Sequence, residues 1–307
     1  MSVSIKLLIA GVLVECRSEF PLEGYSAKQR YDRVEDRFTS FYYQGARRPD
    51  ICIQVYPVHL LPRRLKTRPL VSVYHPDDGK ENWRLKTKKK GYVYVCPLRG
   101  KQQYITINKG LNRVKAFVQS KHRTRLTWDI SDIIYDFLQV LFIAYFAKNK
   151  KGIIMHSAGI CDTDGRGFLF AGESGAGKTT ISRIWHLCGS ARVINDDRVI
   201  IRRGKQGFLL HSSPWHGELG LERVSQVMSA PLSRIFFLHH NVRNSAPRLS
   251  EHETFCLLYP SLFAPFWDRL WLKHTVDFAE HLARAVDCRS LGFVNNERVV
   301  PFIRSLC

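Results

Sequence analysis

Residues 172–179 read Gly-Glu-Ser-Gly-Ala-Gly-Lys-Thr and directly follow the apolar run of residues 168–171. They match the pattern G-x-x-x-x-G-K-[ST], the Walker A phosphate loop, in which a strand enters a glycine-rich turn and a helix leaves it. The glycines matter because a bulkier side chain would keep the backbone away from phosphate groups. The segment therefore predicts an α/β core with a nucleoside triphosphate site at the end of a strand.

The residues of a phosphate loop have distinct tasks. Backbone N–H groups wrap the phosphates, Lys178 reaches the terminal ones, and the Thr179 hydroxyl helps to hold Mg²⁺. We therefore expect ATP and Mg²⁺ as cofactors. The predicted nucleotide-binding residues are Gly172, Glu173, Ser174, Gly175, Ala176, Gly177, Lys178, Thr179 and Thr180.

Two adjacent carboxylates, Asp196 and Asp197, end the apolar run that begins at Val193. In a sheet that carries a phosphate loop, we expect this strand to lie beside the phosphate strand and to present its terminal acids to the metal. Asp196 is then the predicted Mg²⁺ ligand, and Asp197 the predicted base toward a hydroxyl group. The alternative interpretation is that the two acids merely mark a turn.

Five further residues are candidates for the site. His156 lies one hairpin arm upstream of the loop and could move a proton near the terminal phosphate, although a lone histidine on a strand is more often structural. The segment around Trp215 is polar and aromatic, which suits a substrate-binding lip that uses Trp215, His216 and Glu218. A turn packed under Trp215 is the alternative. Arg234 is a candidate for the additional cation that phosphoryl transfer needs.

The pattern along the chain predicts two domains, a β-rich N-terminal domain of residues 1–125 and a catalytic domain of residues 126–307. Short β-like runs separated by turn-forming residues fill the first, and a hairpin leads into the phosphate loop in the second. The predicted strands are 5–14, 51–55, 70–74, 91–96, 103–107, 153–160, 168–171, 193–197, 198–202 and 232–239, and the predicted helices are 131–148, 178–188 and 263–286.

The formal charge of +20 is concentrated in the first half of the chain, because residues 1–150 hold 28 Lys and Arg against 13 Asp and Glu. Basic runs at 63–68 and 84–90 could contact nucleic acid, anionic lipid or an acidic peptide, and solvated loops are the alternative interpretation. An acidic partner should therefore meet the first half.

The cysteines and the apolar runs predict the cellular compartment of the protein. Eight scattered cysteines without a C-x-x-C pair are typical of reduced thiols, so we expect a cytoplasmic protein. The apolar run 7–14 follows Lys6 but is short and precedes Glu15, so we interpret it as a strand and not a secretion signal. The longest uncharged apolar run, 137–147, is too short to cross a bilayer, and we expect no membrane partner.

Three motifs in order carry a family resemblance. His156-Ser157-Ala158-Gly159, then the loop 172–179, then Asn195-Asp196-Asp197 resemble the catalytic domain of HPr kinase/phosphorylase, whose pattern is His-Gly, G-E-S-G-x-G-K-S and Ala-Asp-Asp. That domain shares its nucleotide site with phosphoenolpyruvate carboxykinases. The resemblance covers roughly residues 150–305 and implies a phosphate-loop core with a mixed sheet. It also implies that Asp197 is the base, Asp196 the metal carboxylate and His156 the histidine near the phosphate.

The chain is similar in particular to HPr kinase homologues that act as lasso-peptide tailoring kinases. This likeness implies transfer of the ATP γ-phosphoryl group to the C-terminal serine of a precursor peptide, or to a small protein. The resemblance to HPr kinases, which assemble as oligomers, leaves a homo-oligomer open, and the sequence does not set the oligomeric state. Two other functions stay open from the sequence: a small-metabolite kinase of the same fold, and, less favoured, a nucleic-acid-binding NTPase whose basic half contacts the phosphate backbone.

Overall fold

The computed structural model describes residues 3–20, 22–23, 38–62, 65–74, 79–98, 101–118, 128–188, 191–217, 219 and 228–306. The chain divides into two compact units, Met1–Leu141 and Phe142–Cys307. Both contain sheets and helical residues, so the predicted mixed α/β class is confirmed.

The first unit is built on an eight-stranded mixed sheet with the strand order β1-β2-β4-β9-β8-β7-β6-β5. A separate parallel pair joins β3 and β10. The strands are β1 Val3–Ile9, β2 Val12–Ser18, β3 Leu22–Glu23, β4 Ile51–Pro57, β5 Arg68–Tyr74, β6 Glu81–Lys88, β7 Gly91–Leu98, β8 Lys101–Asn108, β9 Arg113–Val118 and β10 Trp128–Asp129.

The single strand predicted over residues 5–14 is wrong. Residues Ala10 and Gly11 both adopt positive φ, 46° and 76°, and form the two-residue turn of a β1–β2 hairpin. Strands β6 and β9 were not predicted, because alternating charged residues weaken their apolar signal. One face of the sheet is buried, and Tyr94 on this face packs against Phe137 at a ring-centroid distance of 5.3 Å.

Phe137 belongs to helix α1, Ile130–Asn149, which agrees with the prediction of 131–148 within one residue at each end. The helix ends where Lys150 adopts a left-handed conformation with φ of 52°. The N–H groups of Lys150 and Lys151 then donate to the carbonyls of Ala147 and Phe146, which satisfies the last turn.

The second unit combines four helices with a sheet in the order β12-β11-β14-β15-β16-β17. Strand β13 pairs with β11, and β12 also pairs in parallel with β16. The elements are β11 Ile153–Cys161, β12 Gly167–Ala171, α2 Lys178–Leu187, β13 Arg192–Asn195, β14 Arg198–Arg203, β15 Phe208–His211, β16 Ser229–His240, α3 Glu251–Leu258, α4 Arg269–Ala285, β17 Asp287–Phe293 and α5 Val299–Ser305.

Both faces of this second sheet are buried, as the unbroken apolar run 168–171 indicates. Phe168 and Phe170 point to the face covered by α2 and α5, where Trp185 and Ile303 meet them. Leu169 points to the opposite face, covered by α3 and α4. Strand β12, which leads into the glycine-rich segment 172–177, is therefore held on both sides by core residues.

Two predictions for the second unit are wrong. The run 193–197 does not lie beside the phosphate strand, because β11 pairs with β12 on one side and with β13 on the other. The helix predicted over 263–286 starts at Arg269, where the Asp268 carboxylate caps it by accepting the N–H groups of Leu270 and Trp271. Elements β15, α3, β17 and α5 were not predicted.

A buried ion pair joins α5 to the strand end of β11. Arg304 donates from Nε and Nη2 to the Asp162 carboxylate at 2.9 and 2.6 Å, and the Asp162 side chain is 1% exposed. Burial by itself raises the pKa of Asp162, but the hydrogen bond and charge of Arg304 outweigh it and the pKa is lowered.

We expect Arg304→Ala to lower the free energy of unfolding by about 2–3 kcal/mol, because the buried carboxylate loses its partner. Since the folded pKa is depressed, the ion pair stabilises the protein above the ordinary carboxyl pKa, and this contribution is lost as the pH falls. Urea unfolding at neutral and acidic pH, with Arg304→Lys as the charge-conserving control, would measure this. Equal stability of Arg304→Ala and wild type at neutral pH would contradict it.

Candidate active site

The loop of residues 172–177 joins β12 to α2 and depends on its glycines. Gly172, Gly175 and Gly177 have φ values of 155°, 81° and 103°, which other residues rarely adopt. A Cβ on Gly172 would lie 2.9 Å from the Ala176 Cβ, and one on Gly177 would lie 2.8 Å from the Phe293 ring. The cradle therefore needs glycine for space as well as for conformation.

The Lys178 side chain folds back onto this loop. Its Nζ donates to the carbonyls of Gly172 and Glu173 at 2.8 and 2.9 Å, and the residue is 8% exposed. Burial lowers the pKa of Lys178, and the Asp197 carboxylate opposes that shift. Helix α2 starts at this lysine with Gly177 as its N-cap. Because glycine offers no capping side chain, the first N–H groups of α2 and the ammonium group together suit an anion.

Asp197 lies between a histidine and an arginine. His156 Nε2 is 3.2 Å from Asp197 Oδ1, and Arg198 Nε is 3.1 Å from Oδ2. His156 on β11 and Arg198 on β14 are directly paired, which places their side chains together. The Phe263 ring contacts both, with its centroid 6.5 Å from that of His156 and 5.3 Å from Arg198 Cζ.

The electrostatics of Asp197 connect it to the phosphate loop. Burial by itself raises the pKa of Asp197, but the hydrogen bond from His156 and the charges of Arg198 and Lys178 outweigh it and the pKa is lowered. Asp197 is therefore a carboxylate over the working pH range. Of the predicted site residues, His156 thus contacts Asp197 directly, and Lys178 lies close enough for its charge to act on that carboxylate.

Asp196 has a different environment from its neighbour. It is 3% exposed, and its two oxygens accept the backbone N–H groups of Gly217 and Leu219, both at 2.8 Å. This carboxylate therefore holds the segment that follows Trp215. Each oxygen keeps a second lone pair, which is the donor that a metal ion would need.

Asn195 is a residue of the site that sequence reasoning missed. It is fully buried, and its Oδ1 accepts the N–H groups of Asp197 and Arg198 at 2.9 and 2.8 Å. Its Nδ2 donates to the Ser213 carbonyl at 3.0 Å and approaches His216 Nδ1 at 3.3 Å. Asn195 therefore fixes Asp197 and the segment 213–216 together; in the sequence it was the first residue of the Asn195-Asp196-Asp197 motif, but no role was predicted for it.

Only part of the predicted substrate-binding segment, Trp215, His216 and Glu218, is found at the site. His216 lies beside Asn195, but Trp215 is fully buried and packs edge-on against Phe142 at 5.9 Å. The Trp215 side chain therefore packs into the core and does not face solvent. Glu218 lies outside the described residues.

Arg234 is not brought to the phosphate loop. It pairs in register with Phe168, four residues before Gly172, so it lies toward the other end of the parallel strands. Its Nε is 2.5 Å from Asp287 Oδ2, which accounts for its burial. In its place the structure puts Arg198 beside Asp197, a cation that sequence reasoning missed.

The oxygen ligands near the loop suit Mg²⁺ better than a metal ion that is coordinated entirely by protein side chains. Among the described residues, no cluster of three or more His, Cys, Asp or Glu side chains could hold a metal ion. Mg²⁺ is commonly bound through one or two carboxylates together with substrate phosphates and water. Thr179, which is half-buried directly after Lys178, and the Asp196–Asp197 pair fit that description.

We expect Gly217→Ala to lower the free energy of unfolding by about 1–3 kcal/mol, because the new Cβ would lie 2.8 Å from Asp196 Oδ2. Denaturant unfolding would measure the loss. The matched test is a double-mutant cycle with Asp196→Ala, which removes the clashing oxygen. The free energy of unfolding that the double variant loses should therefore be less than the sum of the losses in the two single variants. Strict additivity would mean that the two residues do not constrain each other.

Fold and site together define a mixed α/β protein with a glycine-rich loop, a buried lysine and a histidine-supported carboxylate. The family described as SynChlorMet cassette protein ScmC matches residues 126–283, slightly more than half of the chain, and the chain belongs to that family.

Two further comparisons, with curated proteins and with solved structures, do not identify a family. No curated protein matches the chain. Among solved structures, the HPr(Ser) kinase/phosphatase from Coxiella burnetii is similar over 50% of this chain and 87% of that one, with 12% identity and a TM-score of 0.30. Within the described part of the chain, no helix is long and apolar enough to cross a membrane.

Proposed function

We propose that this protein is an ATP- and Mg²⁺-dependent serine kinase with a phosphate-loop core of the HPr kinase type. Its acceptor would be the C-terminal serine of a lasso-type precursor peptide. The observation that carries this proposal is the grouping of Lys178, inside the glycine loop, with the Asp197 carboxylate that His156 supports. Phosphoryl transfer depends mainly on positioning and charge neutralisation, and this grouping supplies a cradle, a cation and a base.

The binding step would use the loop. Lys178 would exchange its two carbonyl contacts for the β- and γ-phosphate oxygens, and the N–H groups of residues 172–180 would surround the rest of the phosphate chain. The Thr179 hydroxyl and the Asp196 carboxylate would hold Mg²⁺, which supplies neutralising charge to the phosphates when bound.

The transfer step would use Asp197. The acceptor serine oxygen forms a bond to the γ-phosphorus as the bond from that phosphorus to the β-phosphate oxygen breaks, and ADP leaves. The hydroxyl proton passes to Asp197, whose orientation is held by the hydrogen bond from His156 at 3.2 Å. Arg198, 3.1 Å from the same carboxylate, would contribute positive charge beside the reacting groups.

The test is mass spectrometry of a lasso-type precursor peptide with a C-terminal serine, after incubation with the protein, Mg²⁺ and γ-labelled ATP. We expect one added phosphate on the C-terminal serine, and none with the Asp197→Asn variant. The same peptide with a C-terminal alanine is the matched substrate control. Transfer to free serine but not to the peptide would replace the proposal with a small-metabolite kinase, and no ATP binding at all would reject the kinase.

A further inference from the structure

The eight-stranded sheet of the first unit has an outer face, defined here as the face opposite Tyr94. Directly paired residues share a face, and Lys86 pairs with Val93, Val93 with Thr106, and Thr106 with Lys115. The neighbouring row runs from Arg84 through Val95 and Tyr104 to Phe117 and Tyr56. Cations therefore stand on both sides of an apolar and aromatic centre.

The charge on this face is strongly unbalanced. Within the eight strands the acidic residues are Glu15 and Glu81, and these are already ion-paired to Arg17 and Arg84 at 2.8 and 2.7 Å. Lys88 also lies close enough to Lys115 to respond to its charge: burial, and then the Lys115 ammonium, lower the pKa of Lys88. An anionic partner between these two lysines would remove that repulsion.

A groove lies beside these cations. Its volume is about 220 Å³, and its lining includes Leu61, Leu65, Thr67, Lys86 and Tyr104 together with the buried Val93 and Val95. An apolar cavity of roughly 150 Å³ is large enough to hold benzene. The groove therefore has room for one bulky apolar side chain directly next to a lysine.

The aromatic residues of the outer face argue against nucleic acid as its occupant. Single-stranded nucleic acid is bound through bases that stack on aromatic rings. Here Tyr56 and Phe117 stack on each other at 5.5 Å and 22°, and Lys115 lies over the Tyr56 ring at 5.6 Å. Phe117 is moreover buried. A chain that presents carboxylates and an apolar side chain fits better than one that presents bases.

We propose that the outer face is a docking surface for an acidic peptide segment that carries one bulky apolar side chain. The carboxylates contact Lys86, Lys88 and Lys115, and the apolar side chain enters the groove beside the half-buried Leu61 and Leu65. This inference goes beyond the proposed function, because such binding needs neither nucleotide nor phosphoryl transfer.

The test measures fluorescence anisotropy of labelled probes with the full-length protein. The first probe is a short Asp/Glu peptide with one central Leu, the second has Ser in place of that Leu, and the third is oligo-dT of equal charge. We expect the Leu peptide to bind about tenfold or more tightly than the Ser peptide, because burying the Leu side chain contributes to affinity. Affinity should also fall as salt is raised.

The variant Lys88→Glu/Lys115→Glu should bind the Leu peptide at least about tenfold more weakly than wild type, since two attractive charges become repulsive. The matched control Lys150→Glu/Lys205→Glu changes the same charge at two exposed residues of the second unit and should bind like wild type. If the charge-reversed variant fails to fold, Lys88→Gln/Lys115→Gln replaces it. Unchanged affinity in the folded face variant, no binding of the Leu peptide to wild type, or tighter binding of oligo-dT would each overturn the inference.

Discussion

Lys178→Ala should reduce phosphoryl transfer by about a thousandfold or more while the protein remains folded. In the proposed mechanism the ammonium group neutralises the terminal phosphates, and its burial in the loop increases its electrostatic effect. Alanine is a strong helix former at the first position of α2, so the helix should persist. The affinity for ATP should fall as well.

Steady-state kinetics and direct ATP binding, with circular dichroism for folding, would measure this loss. Arg183→Ala is the matched control, because Arg183 is a cation on the exposed side of the same helix. Its turnover should remain close to that of wild type. A folded Lys178→Ala variant with wild-type turnover would exclude the phosphate loop from the reaction.

Asp197→Asn should lower kcat by about a hundredfold to ten-thousandfold, with little change in the KM for ATP. The amide oxygen can still accept the hydrogen bond from His156, so the geometry at 3.2 Å should survive while the base is lost. Single-turnover transfer to the precursor peptide would measure the chemical step directly. A wild-type rate would show that Asp197 is not the base.

The acidic side of the pH–rate profile gives an independent check on Asp197. Its lowered pKa should keep it ionised below the ordinary carboxyl range, so activity should persist as the pH falls. His156→Ala removes a hydrogen bond and charge that depress this pKa. The acidic limb of the variant's pH–rate profile should therefore move to higher pH. An acidic limb at the same pH in both proteins would mean that another group controls it.

The parts of the site that the sequence predicted are local. The glycine loop, Lys178 and the turn at Asp197 each depend on a few consecutive residues, and the structure places them in one region. Asn195 was missed because its partner Ser213 is 18 residues away. The role of Arg198 depends on Phe263, which is likewise distant in the chain.

The incorrect predictions for the fold have the same physical origin. Apolar patterning located strands β11, β12 and β13 but not their order in the sheet, because pairing order is set by contacts distant in sequence. Arg234 lies on a predicted strand, yet only the register with Phe168 and the ion pair with Asp287 reveal which end of the sheet it occupies.

Strand β11 changes its neighbours between His156 and Ser157: the preceding residues pair with β14 and the following ones with β12 and β13. Asp197 meets β11 at this junction, where its carbonyl accepts the Ser157 N–H at 2.9 Å. The position of Asp197 is therefore set by strand pairing, which tolerates few insertions, and not by loop length. In the proposed kinase, the loops around the acceptor could therefore change without moving the carboxylate that would take the proton.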